Sequence, residues 1–410
     1  MSETPTGLEG LYTRPDWVRR INAMGPAVGG AARLVPLDVD ALVDEAQAST
    51  GLSDFGAVDG DWRARLDGLV ASLEADAALH VVGRLMTRQE ILRGLRTRLL
   101  LTAHRAANPA VAEERVEAPL IVTGPARSGT SILFELLSLD PAARGPRGFE
   151  AMHPVPFDGH ARDDYSLFGE AEQELWSDVQ PEFAAIHELR SELPVECITL
   201  TLPSFSGGHW PTVANVSSWI PDFAASMRFH EALLQTLQAG TPRRHWVLKT
   251  PMYLLMIDLL FETYPDAQVV LTHRDPLKTA PSGLSTLATS RWLRSDAVDV
   301  AGTLSDGMAA MMLAVGQRRA SGDLTQGFAD LHFQDLMRDP VAAIEAAYGA
   351  LGRSFAGEHA DAIRSYLAAK PRGKHGAHRY SAAQWGIDPV ALREQTRPYT
   401  DHYGVALEEE

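Results

Sequence analysis

The string Gly124-Pro-Ala-Arg-Ser-Gly-Thr-Ser131 follows the apolar run Leu120-Ile-Val-Thr123 and precedes an amphipathic stretch holding Ile132, Leu133, Leu136 and Leu137. A Gly-containing loop between a strand and a helix offers free amides at the positive end of the helix dipole, an arrangement that wraps a phosphate. Against the nucleotide-triphosphatase pattern G-x-x-x-x-G-K-[ST], Gly124 and Gly129 match and Ser131 supplies the last hydroxyl. Thr130 stands where the lysine that reaches the β- and γ-phosphates belongs, and the cation lies inside the loop as Arg127. Such a loop suits a 5′-phosphate whose leaving oxygen needs a nearby positive charge, and it carries no built-in arrangement for a triphosphate with magnesium.

Two further cations sit at strand ends. Trp246-Val-Leu-Lys-Thr-Pro251 places Lys249 directly after an apolar strand, and Val269-Val-Leu-Thr-His-Arg-Asp-Pro276 does the same for Arg274. The carboxyl ends of strands are where open α/β sheets bind ligands. Ser282 follows in the helix that Asp275-Pro276 begins, so Arg274 and Ser282 can face one anion, with Pro281 bending the helix just before the serine.

The elements that must position these groups are legible as alternation. Strands at Leu120 to Thr123, Trp246 to Leu248, Val269 to Thr272 and Phe328 to His332 each precede a helical pattern, which predicts βαβ units around a parallel sheet. The expected fold class is α/β, a P-loop-type three-layer fold with a central parallel sheet flanked by helices, plus a helical N-terminal region. Asp275-Pro276, Asp339-Pro340 and Asp388-Pro389 read as helix starts, because Asp caps free amides and Pro needs none. From about Leu37 to Ala107 the chain reads as helices, with Thr87-Arg-Gln-Glu90 in the form of a capping box that opens one of them. The expected division is a helical region over 1–115 packed on a main domain over 116–404. The latter carries an insertion at about 149–222, rich in Pro, Gly and aromatic residues.

Composition narrows the partners. The 410 residues are 45% hydrophobic and 22% charged, ordinary globular usage, and a single cysteine, Cys197, rules out an internal disulfide. The formal net charge of -16 disfavours a nucleic-acid or anionic-membrane surface but leaves room for a small anion held by locally gathered cations. No run approaches a membrane span, and the amino terminus lacks a signal-peptide pattern, so a cytoplasmic protein is expected. His375 and His378 have i, i+3 spacing without a completing carboxylate or cysteine pattern, so no metal is expected. A homo-oligomer is left open.

Together these motifs resemble the sulfotransferases that use 3′-phosphoadenosine 5′-phosphosulfate (PAPS). The family's P-K/R-S-G-T-[TS] loop is matched by Ala126-Arg-Ser-Gly-Thr-Ser131, with Ala in the proline place and Pro125 one residue earlier. Its strand-end Arg with a Ser eight residues on is matched by Arg274 and Ser282. The actinobacterial branch, where Trp-Val-Leu-Lys-Ser/Thr-Pro and His-Arg-Asp-Pro recur, is the most similar, and the resemblance runs through most of 116–404. It implies that Arg127, Ser128, Gly129, Thr130 and Ser131 hold the 5′-phosphosulfate and that Arg274 and Ser282 hold the 3′-phosphate. It further implies that a basic Gly-containing segment, here Pro371-Arg-Gly-Lys-His-Gly376 with Lys374 and His375, closes over the nucleotide. The product would be adenosine 3′,5′-bisphosphate.

Sulfuryl transfer needs charge stabilisation and positioning, for which Arg127 on the leaving oxygen and Lys249 on the moving sulfonate are the candidates. The acceptor hydroxyl needs a base. Glu150 is the first candidate, since Arg144-Gly-Pro-Arg-Gly-Phe-Glu150 connects it to the helix after the loop. The tyrosylprotein sulfotransferases carry an acidic residue at a comparable place. His153 and His209 are the alternatives. Family members often have His shortly after the Lys-Ser/Thr-Pro motif, where this chain has Tyr253. The acceptor is expected to be a small, hydrophobic hydroxyl compound met by His209, Trp210 and Tyr253. A P-loop kinase or nucleotide hydrolase with a divergent loop, or a non-catalytic nucleotide-binding protein, is the competing reading.

Overall fold

The computed structural model describes residues 13–157, 159–160, 164–300, 307–370, 378 and 380–409. The chain forms two compact units, one of Met1–Arg115, Arg147–Thr241 and Leu287–Asp299, the other of Val116–Pro146, Pro242–Thr286 and Val300–Glu410.

The second unit is built on five strands: β1 (Leu120–Thr123), β2 (Ala143–Arg144), β3 (His245–Lys249), β4 (Gln268–His273) and β5 (Phe328–His332). They lie in the order β2-β3-β1-β4-β5 and every neighbouring pair is parallel. All four residues of β1 are buried, as a strand covered on both faces requires. Alternation assigns the faces. Leu120, Val122, Val247, Val270, Ala329 and Leu331 share a core with the helices Thr130–Leu137, Pro340–Ala350 and Gly357–Ala369 through Leu133, Phe134, Ile344 and Ile363. On the opposite face Phe328 meets Phe261 of Ile257–Thr263, while His273 lies against Tyr399 and Tyr403 of Pro389–Tyr403. The sheet is therefore the middle layer of three, as expected. β2 is the strand that sequence reading missed, two residues being too short for any period to show.

The Asp-Pro pairs start helices as expected. Asp339 accepts from the Ala342 amide at 3.1 Å and Asp388 from Val390 at 2.9 Å. The helix Pro276–Trp292 continues through Pro281.

In the first unit the helices Val39–Thr50, Trp62–Asp76 and Val81–Ala107 pack through Leu42, Leu66, Leu69, Leu73, Ile91, Leu95 and Leu99. One expectation is corrected here. Thr87 and Glu90 do not open a helix: they lie inside the single 27-residue helix Val81–Ala107, whose cap is His80, accepting the Gly83 amide on Nδ1 at 2.9 Å. The capping-box pattern is there for another reason, because Glu90 is a buried ion-pair partner. A second correction concerns Trp210, expected to meet the acceptor. Leu202, Phe205, Trp210 and Trp219 are buried in the same core as those three helices.

Candidate active site

The loop after β1 is held by short contacts to its neighbouring strands. The register sets Val122 beside Lys249 of β3 and Thr123 beside Leu271 of β4, so β4 overshoots β1 by Thr272 and His273 before reaching Arg274. Lys249 and Arg274 thus flank the loop from the two sides of β1. Gly124 has φ 148°, and a Cβ there would lie 2.2 Å from Thr272 Oγ1, so only glycine lets the loop leave the sheet this close to β4. Thr123 Oγ1 donates to Thr250 O at 2.9 Å, which ties β1 to the end of β3.

Within the loop, Arg127 takes a left-handed conformation at φ 66° and Gly129 another at φ 90°, after which Thr130–Leu137 begins. No side chain caps that helix, and the first bond of its ladder runs from Leu133 N to Gly129 O at 3.0 Å. The amides of Thr130, Ser131 and Ile132 precede that bond and so have no carbonyl of their own helix to meet. Ser131 is exposed at this end, and Lys249 Nζ donates to its Oγ at 3.3 Å although Lys249 itself is buried. Burial lowers the Arg127 pKa, and the neighbouring Arg274 charge acts in the same direction, while Tyr380 opposes both. Two guanidiniums this close in a partly desolvated loop favour an anion between them.

Ser128 does something other than expected. Its amide and its hydroxyl both donate to Pro125 O, at 3.2 and 2.6 Å, and its Oγ lies 2.6 Å from Thr272 Oγ1. Completely buried, its side chain closes the turn and pins it to β4 instead of facing a ligand. Arg274 donates through Nη1 to Arg127 O at 2.9 Å, and its guanidinium stacks on Phe333 at 3.8 Å. Ser282 Oγ is wholly buried and has no hydrogen-bond partner among the described residues. A buried hydroxyl left so costs roughly 1–3 kcal/mol, a deficit that a bound oxyanion removes. Tyr253 is buried in the turn Pro251–Leu254, whose entry Thr250 caps by accepting from Met252 N at 3.2 Å.

Sequence reasoning missed Thr272, Thr123 and His378. Nothing in a one-dimensional pattern marks a strand threonine as a loop anchor. His378 was weighed only as a metal ligand. Its Nε2 lies 2.9 Å from Ser285 Oγ, and burial, with Arg127 adding to it, lowers its pKa to about 4, so it is neutral at pH 7. Lys374 and His375 lie outside the described residues. Among the described residues no group of three His, Cys, Asp or Glu is placed to hold a metal ion, and no helix is long and apolar enough to cross a membrane.

The remaining candidates belong to the helical unit. Glu150 is buried in Gly148–Met152, where its Oε2 accepts the Arg147 amide at 3.0 Å and its Oε1 lies 3.4 Å from Arg147 Nη2. His209 is buried with Nε2 3.0 Å from Glu90 Oε2, and Arg294 grips the same carboxylate at 2.7 and 2.8 Å. Burial would raise the Glu90 pKa, but Arg294 and then His209 hold it well below the carboxylate range. Trp210 is fully buried beside His209, the two rings 5.2 Å apart. Both side chains therefore serve the packed interior, and neither faces an open surface. A cavity of about 380 Å³ does open in this unit, lined by apolar side chains such as Leu92, Leu100, Val155 and Phe157 and by the charged and polar side chains of Arg88, Arg93, Arg96, Gln89, Thr97, His153 and Glu172. His153 Nε2 lies 3.3 Å from Glu172 Oε1, and Arg93 Nε lies 2.9 Å from Oε2 of the same carboxylate.

Residues 119–357, more than half of the chain, match the model of the Sulfotransferase family. The chain belongs to that family. Among solved structures, the sulfotransferase STF1 of Mycobacterium tuberculosis is 26% identical with a TM-score of 0.71, over 88% of this chain and 99% of that one. The sulfotransferase STF9 of Mycobacterium avium is 24% identical with a TM-score of 0.76, over 91% and 98%. An omega-hydroxy-beta-dihydromenaquinone-9 sulfotransferase of Mycobacterium bovis is 23% identical over 309 residues, 70% of this chain and 75% of the relative. The actinobacterial resemblance read from the motifs is thus borne out, and this sulfotransferase is an enzyme of sulfonate transfer built on the P-loop-like fold.

Proposed function

We propose that this sulfotransferase takes its sulfonate from PAPS and delivers it to the hydroxyl of a small, largely apolar acceptor. The orphaned hydroxyl of Ser282, buried eight residues beyond Arg274, supports this reading most, because a 3′-phosphate beside Arg274 would supply the partner that Ser282 lacks. The amides that open Thr130–Leu137 hold the 5′-phosphate, with Thr130 and Ser131 at its edge, and Gly129 lets the chain turn under it. Arg127 stabilises the bridging oxygen as it leaves, and Lys249, already drawn to Ser131, contacts the sulfonate in flight. The bond from sulfur to the bridging oxygen breaks and a bond from sulfur to the acceptor oxygen forms. That oxygen's proton passes to a base, and the electron pair of the broken bond stays on the 5′-phosphate of adenosine 3′,5′-bisphosphate. Lys374 and His375, which lie outside the described residues, are proposed as further nucleotide contacts.

Glu150 is the proposed base. Its carboxylate is fixed through Oε2 by the Arg147 amide, which orients it. The acceptor's apolar body is assigned to the cavity of the helical unit, on the side chains of Leu92, Leu100, Val155 and Phe157, with Arg88, Arg93 and Arg96 as cations of the same lining. A relative named for a hydroxylated dihydromenaquinone is consistent with an apolar alcohol.

A radiolabelled-donor screen over phenols, sterols, glycolipids and hydroxylated quinones tests the reaction, with Glu150→Gln as its control. Glutamine serves the capping position as well as glutamate, so this variant keeps the fold. The expected result is label transfer that falls about 10²–10⁴-fold in the variant, the usual contribution of a general base. Full turnover by Glu150→Gln removes the base assignment, and label that never leaves the donor with any acceptor removes the reading.

A further inference from the structure

The guanidinium of Arg274 is already occupied by an anion that the chain itself provides. Nε donates to Glu408 Oε1 at 2.7 Å and Nη2 to Glu408 Oε2 at 2.9 Å. This is the forked, bidentate geometry in which arginine also meets a phosphate. One face of the Arg274 guanidinium is stacked on Phe333 and Nη1 is engaged with Arg127 O, so the Nε/Nη2 edge is the one a phosphate would take. Glu408 and a 3′-phosphate cannot use that edge together.

The segment that carries Glu408 is docked independently of this contact. Its amide donates to Asp275 Oδ2 at 2.7 Å and its carbonyl accepts from Arg393 Nη2 at 2.7 Å. The Glu408 side chain can therefore rotate away while the backbone stays in place, which keeps the opening local. The two side chains are 15% and 20% exposed, so water can solvate the carboxylate once it swings out.

We propose that Glu408 is an internal stand-in for the donor's 3′-phosphate, a latch that must open for the nucleotide to bind and that helps expel the bisphosphate product when it closes. The inference rests on the assignment of Arg274 to the 3′-phosphate. It is specific to that phosphate. A ligand without one leaves the latch shut and pays nothing for it, whereas one with it binds more weakly by the fraction of time that the latch is open.

Calorimetry with adenosine 3′,5′-bisphosphate and with adenosine 5′-monophosphate, on the full chain and on Glu408→Gln, Glu408→Ala and Arg274→Ala, tests it. The latch predicts that both Glu408 variants bind the bisphosphate about three- to tenfold more tightly, the range for a partly exposed bidentate pair, and the monophosphate unchanged. If Arg274→Ala weakens bisphosphate binding while the Glu408 variants leave it unchanged or weaken it, Glu408 only positions Arg274 and the latch is overturned. If Arg274→Ala leaves bisphosphate affinity unaltered, the 3′-phosphate assignment itself is wrong and the latch goes with it.

Discussion

Lys249 Nζ reaches Ser131 Oγ at 3.3 Å, joining the carboxyl end of β3 to the first turn of the helix that follows the loop after β1. This lysine is 1% exposed, and the register of β3 beside β1 fixes its placement next to the loop. Lys249→Met keeps the length and removes the charge. Turnover should fall by about 10²–10³-fold, as for loss of one preorganised donor, with bisphosphate affinity little changed. Single-turnover kinetics beside calorimetry check it, and equal losses in both would move Lys249 from the transition state to ground-state binding.

Ser282 gives a signature with opposite signs. Its buried hydroxyl has no hydrogen-bond partner among the described residues, so Ser282→Ala should leave the melting temperature unchanged or raise it. The same variant should weaken bisphosphate binding about 10- to 150-fold, the worth of one hydrogen bond to a charged group at about 1.5–3 kcal/mol. Lower stability with unchanged affinity would show that the hydroxyl serves the fold.

The pair Glu90 and Arg294, 6% and 1% exposed, is joined by two bonds and extended by His209. Glu90→Gln leaves a buried guanidinium without its counter-charge and should cost about 3–5 kcal/mol, read as a drop in denaturant midpoint. A loss below about 1 kcal/mol, the scale of an exposed pair, would contradict the buried network.

His230, fully buried in Phe223–Gln238, has its pKa lowered to about 3 by burial. The unfolded chain binds a proton near pH 6.5 that the folded chain refuses until about pH 3. Stability is therefore present above pH 6.5 and is lost as pH falls through that window, at up to about 1.4 kcal/mol per pH unit for one proton. His230→Gln should flatten the fall of the unfolding free energy between pH 6.5 and 4. Parallel curves for the two proteins would assign the acid sensitivity elsewhere.

What the sequence made legible was local. Four strands, the loop from Gly124 to Ser131 and the Asp-Pro helix starts each announce themselves within ten residues, through apolar runs, glycine spacing and caps. What it hid depends on partners far along the chain. Glu90 read as a helix cap because its arginine lies 204 residues away, and Trp210 read as acceptor surface because the helices that bury it come more than a hundred residues earlier. Ser128 matched a ligand-binding pattern, yet Thr272, 144 residues on, draws its hydroxyl inward. Glu408 gave no signal at all, since a glutamate in an acidic run is ordinarily solvated.

The cations around the loop after β1 are proposed to hold a nucleotide bearing 5′- and 3′-phosphates. Calorimetric titration with adenosine 3′,5′-bisphosphate and with ATP, each with and without magnesium, tests it most directly. The expected result is bisphosphate binding that is indifferent to magnesium and tighter than ATP under both conditions. Magnesium-dependent ATP binding that exceeds the bisphosphate would contradict it and return the loop to a triphosphate.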